Sequence, residues 1–176
     1  MRIPQRFPAG SDIFRVFALS SFIIYAWTII ASFRLLAISW ILFMSVGEIL
    51  GLLAYQVLTA FLECAIVTCA LLLLGGVLPR RFLWGQFAVR GSILAFGFLG
   101  SLMVYYQFFL IQELLDKAVY WLAIFLTTAG LLMWLAHRFQ TVRHIVAAFA
   151  ERCLVFGYLS LPLAALSLLV VVYRNL

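Results

Sequence analysis

Charge is scarce in this chain: only 10% of its 176 residues are Asp, Glu, Lys or Arg, six are acidic, and Lys117 is the single lysine. Soluble domains carry about 25% charged and roughly 45–50% apolar residues. Here 67% of the residues are hydrophobic and the mean hydropathy is +1.18. A soluble domain of about 150 residues still leaves roughly 30% of its unfolded surface in water. One core of this size cannot hide so much apolar surface, and a bilayer must cover the remainder.

The motifs of the common chemistries are absent too. The chain holds no Walker A loop, no GxSxG elbow, no HExxH helix, no paired DxD and no lysine inside an apolar run to carry a Schiff base. Nucleotide-driven, hydrolytic and retinal-type activities lose their usual carriers, so a non-catalytic role is expected. Cys64, Cys69 and Cys153 all fall in apolar segments, where a free thiol behaves as a small hydrophobe. The step from Cys64 to Cys69 fits neither a CxxC redox pair nor a zinc knuckle. No metal site is expected, and the sequence names no cofactor. The net charge of +6 does not point to nucleic acid, because the arginines stand singly or in pairs at the ends of apolar runs, as interfacial anchors do.

What the sequence has in abundance is long apolar runs, such as 17–33 and 57–74. A transmembrane strand would alternate apolar with polar residues, so these continuous runs predict an all-α polytopic transmembrane helical bundle forming one domain over 1–176. A spanning helix needs about 20 apolar residues. Punctuation by charge, Pro and Gly then predicts six helices near 14–33, 35–55, 57–78, 91–111, 118–137 and 145–172. The breaks at Gly75-Gly76 with Pro79-Arg80-Arg81, at 112–117 and at 137–144 are strong, and those at Arg34 and Tyr55-Gln56 are weak. Pro162 is expected to kink the last helix, with Ser160 near the freed backbone groups.

Five helices are the alternative. Merging the first two segments puts Arg2, Arg6, Arg15, Arg80, Arg81, Arg90, Arg138, Arg143 and Arg152 on one side, which obeys the positive-inside rule. It also leaves Arg34 within one very long helix, at roughly 2.5–3.5 kcal/mol on insertion scales. With six helices both termini share a side and the Lys/Arg balance is seven against five, a margin that weakly places the termini outside the cytoplasm. Arg2, Arg6 and Arg15 before an apolar run resemble the basic region of a secretory signal, but 16–33 is long for one and lacks a small-x-small exit, so a retained anchor is expected.

Ionisable groups inside the membrane are functional candidates by default. With a turn at Tyr55-Gln56, Glu48 and Glu63 lie at matched depth, roughly 10 Å from the turn in an antiparallel hairpin, as a possible shared-proton or cation pair. The bland alternatives are a helix cap, snorkelling, or pairing with an arginine such as Arg34. Gly47 and Gly51 form a GxxxG step suited to close helix packing. His137, Arg138, Arg143 and His144 form a basic interfacial loop suited to lipid headgroups, with Glu151 and Arg152 as a local ion pair beside it.

Three functions follow as expectations. The first is a non-catalytic integral membrane subunit packed within a larger respiratory, photosynthetic or transport assembly. The second is a small proton- or cation-coupled transporter or channel built on the Glu48/Glu63 hairpin. The third is the membrane anchor of an enzyme whose catalytic part lies elsewhere. The expected partners are the bilayer and other membrane subunits or further copies of the chain, in a multi-pass arrangement in the plasma (inner) membrane.

Overall fold

The computed structural model describes residues 8–35, 43–77, 86–109 and 118–176, and among these it contains helices and no strand. Six helices are present among the described residues: α1 (Gly10–Leu35), α2 (Val46–Val77), α3 (Phe87–Phe109), α4 (Ala118–Arg138), α5 (Gln140–Arg152) and α6 (Leu154–Asn175). Five stretches are long and apolar enough to cross a bilayer, the last of them running through α5 and α6 as Gln140–Asn175. The protein is a multi-pass, all-α membrane bundle.

The way the helices divide differs from the sequence expectation. The turn at Tyr55-Gln56 does not exist, because α2 runs unbroken for 32 residues, about 48 Å at 1.5 Å per residue. Neither Tyr nor Gln breaks a helix, and both polar groups are used between helices. The Ser32 hydroxyl donates to Gln56 Oε1 at 3.0 Å, and Asn175 Nδ2 donates to the Tyr55 hydroxyl. Residues 46–55 of the expected second segment therefore run on into 57–77 as one helix, while 36–42 fall outside the described residues. The start of α2 is set by Ser45 and Glu48: the Ser45 backbone N–H and hydroxyl both donate to Glu48 Oε2 at 2.8 Å, and the Glu48 N–H donates to Ser45 Oγ at 3.4 Å. This reciprocal pairing is a capping box. Arg34 lies in the last turn of α1, while Pro79, Arg80, Arg81 and 112–117 fall outside the described residues.

The expected 137–144 loop shrinks to one residue. Phe139 alone is extended, at φ −116 and ψ 114, between the end of α4 and the start of α5. α5 joins α6 through Cys153, which keeps a helical backbone at φ −70 and ψ −11. α6 stays helical through Pro162, and the Ser160 hydroxyl donates to the Gly157 carbonyl at 2.9 Å.

α1 is the central helix, packed against α2, α3, α5 and α6, while α4 is held by α3 and α5. Its buried residues run almost consecutively: Val16, Ala18, Leu19, Ser20 and Ser21 are all at most 2% exposed. Small side chains permit this. A Cβ at Gly157 would lie 2.9 Å from Ala18 Cβ and 3.0 Å from Phe14, one at Gly91 would lie 3.0 Å from Val16, and one at Gly97 would lie 3.2 Å from Ala129 Cβ. On α6 the buried face is Gly157, Ser160, Ala164 and Ser167, at steps of three and four that keep it in line. Several buried hydroxyls are satisfied on their own helices, Ser20 by the Val16 carbonyl at 3.0 Å and Thr68 by the Cys64 carbonyl at 2.8 Å.

Neighbouring contacts give the directions. Val16 packs with Leu71 and Phe87, and Ile24 with Ala60, Cys64 and Leu99. α1 and α3 therefore run parallel, and α2 runs against them. Gly97 meets Ala129 on the antiparallel α4, and Asn175 at the end of α6 meets Tyr55 in the first half of α2. The start of α1 and the end of α6 thus lie at opposite ends of the bundle, unlike the shared side that six spans require. Arg15, Arg90, Arg138, Arg143 and Arg152 gather at the α1-start end, against Arg174 and the last-turn Arg34 at the other.

Two outcomes are expected. Compartment reporters fused before α1 and after α6 will read opposite sides, the α1 end being cytoplasmic by its arginines; reporters on one side would mean an even number of spans. Gly157→Leu will lower the unfolding free energy in detergent by about 1–3 kcal/mol through overpacking, whereas Gly130→Leu, with open space beside it, will not.

Candidate functional site

The two glutamates are not brought together. Fifteen residues apart on one helix, Glu48 and Glu63 are separated by about 22 Å along the axis of α2. Glu48 is absorbed by the capping box at the helix start, with the Arg174 guanidinium as a nearby positive charge. Its role in this fold is to end a helix cleanly.

Glu63 is different. It sits about 25 Å from the start of α2 and about 21 Å from its end, so its carboxyl belongs near the middle of the hydrocarbon. It is exposed, it faces out of the bundle, and it makes no hydrogen bond or ion pair with any described residue. Thr59, Leu62, Ile66, Cys69 and Leu73 are exposed with it, at helical spacings that make one outer stripe along α2. The adjacent Cys64 turns the other way, into the core with Ile24, Ala60 and Leu99.

The glycine step at Gly47 and Gly51 does not admit a helix backbone. Nothing lies within 4 Å of a Cβ built on Gly47, and the space at Gly51 is taken by the Arg174 guanidinium. The close helix approaches occur instead at Gly157, Gly91 and Gly97. Their sequence signals were the small residues at three- and four-residue steps in α6 and the Ala129 partner in α4, which single-helix reasoning does not pair.

The four basic candidates also divide. His137 and Arg143 line a cavity of about 570 Å³ at the arginine-rich end, whereas Arg138 and His144 lie outside it. His144 Nε2 is 3.4 Å from Gln140 Nε2, one turn back on α5. The expected local pairing of Glu151 with Arg152 gives way to a bridge between helices: Glu151 Oε1 accepts from Arg15 Nη2 at 2.9 Å, and Asp12 lies 3.7 Å from the same guanidinium. Both sides are partly solvated, so the bridge contributes at most about 1 kcal/mol. The sequence reading missed Arg90 and Trp134, which α3 and α4 bring to the same cavity.

A second groove, of about 320 Å³, opens between α1, α2 and α6 near Ile29, Phe33 and Leu163. Three of its polar side chains are engaged between α1 and α2, since the Tyr25 hydroxyl donates to the Val57 carbonyl at 3.2 Å and Ser32 donates to Gln56. Its remaining lining is mainly apolar. All three cysteines are free thiols.

No protein-family model, no curated protein and no solved structure matches the chain.

The contrast between the two carboxylates is measurable on the isolated chain. Ser45→Ala or Glu48→Ala will lower its stability in detergent, as loss of an N-terminal cap does, read by a lower midpoint of chemical unfolding. Glu63→Leu will leave stability unchanged or raise it, because it removes an unpartnered carboxyl from an outer face. A loss above about 1 kcal/mol at Glu63 would mean that the carboxyl has a partner within the bundle.

Proposed function

We propose that this chain is a non-catalytic subunit that associates side by side with a further transmembrane helix of a larger membrane assembly, using the outer stripe of α2 around Glu63. The observation that carries this reading is the outward carboxyl at the middle of a long apolar helix. Held against lipid, a charged group at that depth costs on the order of 3 kcal/mol. A partner that offers a hydroxyl, amide or guanidinium removes the cost and gains a hydrogen bond in a medium without competing water. The flanking side chains supply an apolar seam, and exposed Thr59 adds a hydroxyl one turn away.

Two further features support lateral association. Only 6% of the spanning window of α4 is fully buried, and 22% of those of α2 and of the α5–α6 stretch. The buried polar residues among those described are serines and a threonine, several of them tied to their own helices, and none of them carries a charge.

The test is native mass spectrometry after gentle solubilisation of membranes containing the full chain. The wild type is expected in a stoichiometric complex with larger subunits. Glu63→Leu is expected to lose at least about tenfold in complex yield while keeping its own stability, and Glu63→Gln, which still hydrogen-bonds, to retain part of it. A wild-type monomer, or complexes unchanged in Glu63→Leu, would refute the proposal. A homo-oligomer with Glu63-dependent proton or cation flux in vesicles would replace it with the carrier reading.

A further inference from the structure

The outer face of α2 carries more than a carboxyl. From Thr59 onward, exposed residues recur at 59, 62, 66, 69, 73 and 76, in alternating steps of three and four that repeat every seven. Glu63, Ala70 and Val77 stand beside them at the same seven-residue interval. Such a repeat is the seam of two helices that cross left-handed at about 20°. Side-chain size varies along it as knobs and holes require: Leu62, Ile66 and Leu73 project between Cys69, Ala70 and Gly76, and nothing lies within 4 Å of a Cβ built on Gly76.

The inner face of α2 shows which way this seam looks. Its buried residues at 60, 64, 68, 71 and 75 face the rest of the bundle. Each lies two residues, about 200° around the helix, from an exposed one at 62, 66, 70, 73 or 77. The seam therefore points directly away from the bundle over about 26 Å, most of the hydrocarbon thickness. Glu63 sits on it about midway along α2, without a hydrogen bond or ion pair to any described residue.

Charge decides what covers the seam. A second copy of the chain brings no cation to this depth, because every described arginine stands near a helix end. In a parallel pair it brings the same carboxyl instead, and like charges repel strongly where no water screens them. Its nearest hydroxyl on the stripe, that of Thr59, already donates to the Tyr55 carbonyl at 2.8 Å. An arginine or lysine on a foreign helix supplies the countercharge, and the same contact relieves its own cost of standing in hydrocarbon.

We propose that the seam takes a transmembrane helix of a different chain that bears one arginine or lysine at the depth of Glu63, packed as a left-handed pair with α2 and joined to it through a carboxylate–cation contact. The inference rests on the lateral-association reading above and adds the chemistry of the partner.

The probe is a synthetic single-span peptide of leucine and alanine with arginine, glutamine, leucine or glutamate at its midpoint. Its binding to the purified full chain in detergent micelles is read by energy transfer to a fluorophore at the chain's C-terminus. The arginine peptide is expected to bind at least about tenfold tighter than the leucine peptide, the size of one strong polar contact between helices in lipid, with glutamine between them and glutamate weakest. Glu63→Gln will abolish the preference for arginine over glutamine, and Glu63→Arg will make the glutamate peptide bind best. Cys69→Trp, on the seam, will weaken the arginine peptide, whereas Leu122→Trp, exposed on α4, will leave it unchanged. Equal binding of the arginine and leucine peptides overturns the proposal, as does an arginine preference kept by Glu63→Gln. Equal binding of the arginine and glutamine peptides also overturns it; lateral association then stands if Glu63→Leu still loses the native complex, and falls too if that complex is unchanged. Cys69 is the exposed thiol of the three. A disulfide-linked dimer of the dilute wild type under mild oxidation, lost in Cys69→Ser, would put a second copy on the seam and overturn the proposal.

Discussion

Close approach of helix backbones at small side chains holds this bundle together, because hydrocarbon outside the protein is as apolar as leucine inside it. No hydrophobic force presses large side chains inward, so van der Waals contact between surfaces must carry association. α1 meets α6 at Ala18 and Gly157, and α3 at Val16 and Gly91, while α3 meets α4 at Gly97 and Ala129. With α1 at the centre, those contacts set which faces of the other helices turn inward and which remain for lipid or partners.

The polar groups fall into place around that packing. The inward hydroxyls of Ser20, Thr68, Ser101 and Ser160 bond to carbonyls three or four residues earlier, so a helix can be buried there without a matching polar group on its neighbour. Charged groups are placed elsewhere. Glu48 closes a helix start, Arg15 bridges to Glu151, and Arg174 fills the space beside Gly51. Glu63 stands apart because the same packing that buries Cys64 rotates its neighbour to the outside, about midway along α2.

The arginine-rich end has its own logic. α5 carries apolar residues at positions 142, 145, 146 and 149, the spacing of one helical face. That face lies over α3 and α1, where Phe149 packs edge-on against Phe22 at 5.8 Å. Its polar side carries Arg143 into the cavity shared with Arg90. A segment that reads as a basic loop thus becomes one wall of a composite pocket.

Composition alone determined that this chain belongs in a membrane, and continuous apolar runs determined that it is helical, since both depend only on the cost of leaving apolar side chains and backbone groups unsatisfied. The start of α2 was also legible, as Ser45-x-x-Glu48 carries the capping signature, and reading it would have placed a helix start just after Ser45, inside the expected 35–55 segment. The fate of Tyr55-Gln56 was not, because a polar pair ends a helix only when no neighbour takes up its polar groups, and Ser32 and Asn175 lie 24 and 120 residues away. For the same reason only tertiary structure parted Glu48 from Glu63 and joined Arg90 to Arg143. Residue types set what each group needs, and the packing of one helix on another sets which distant residue meets that need.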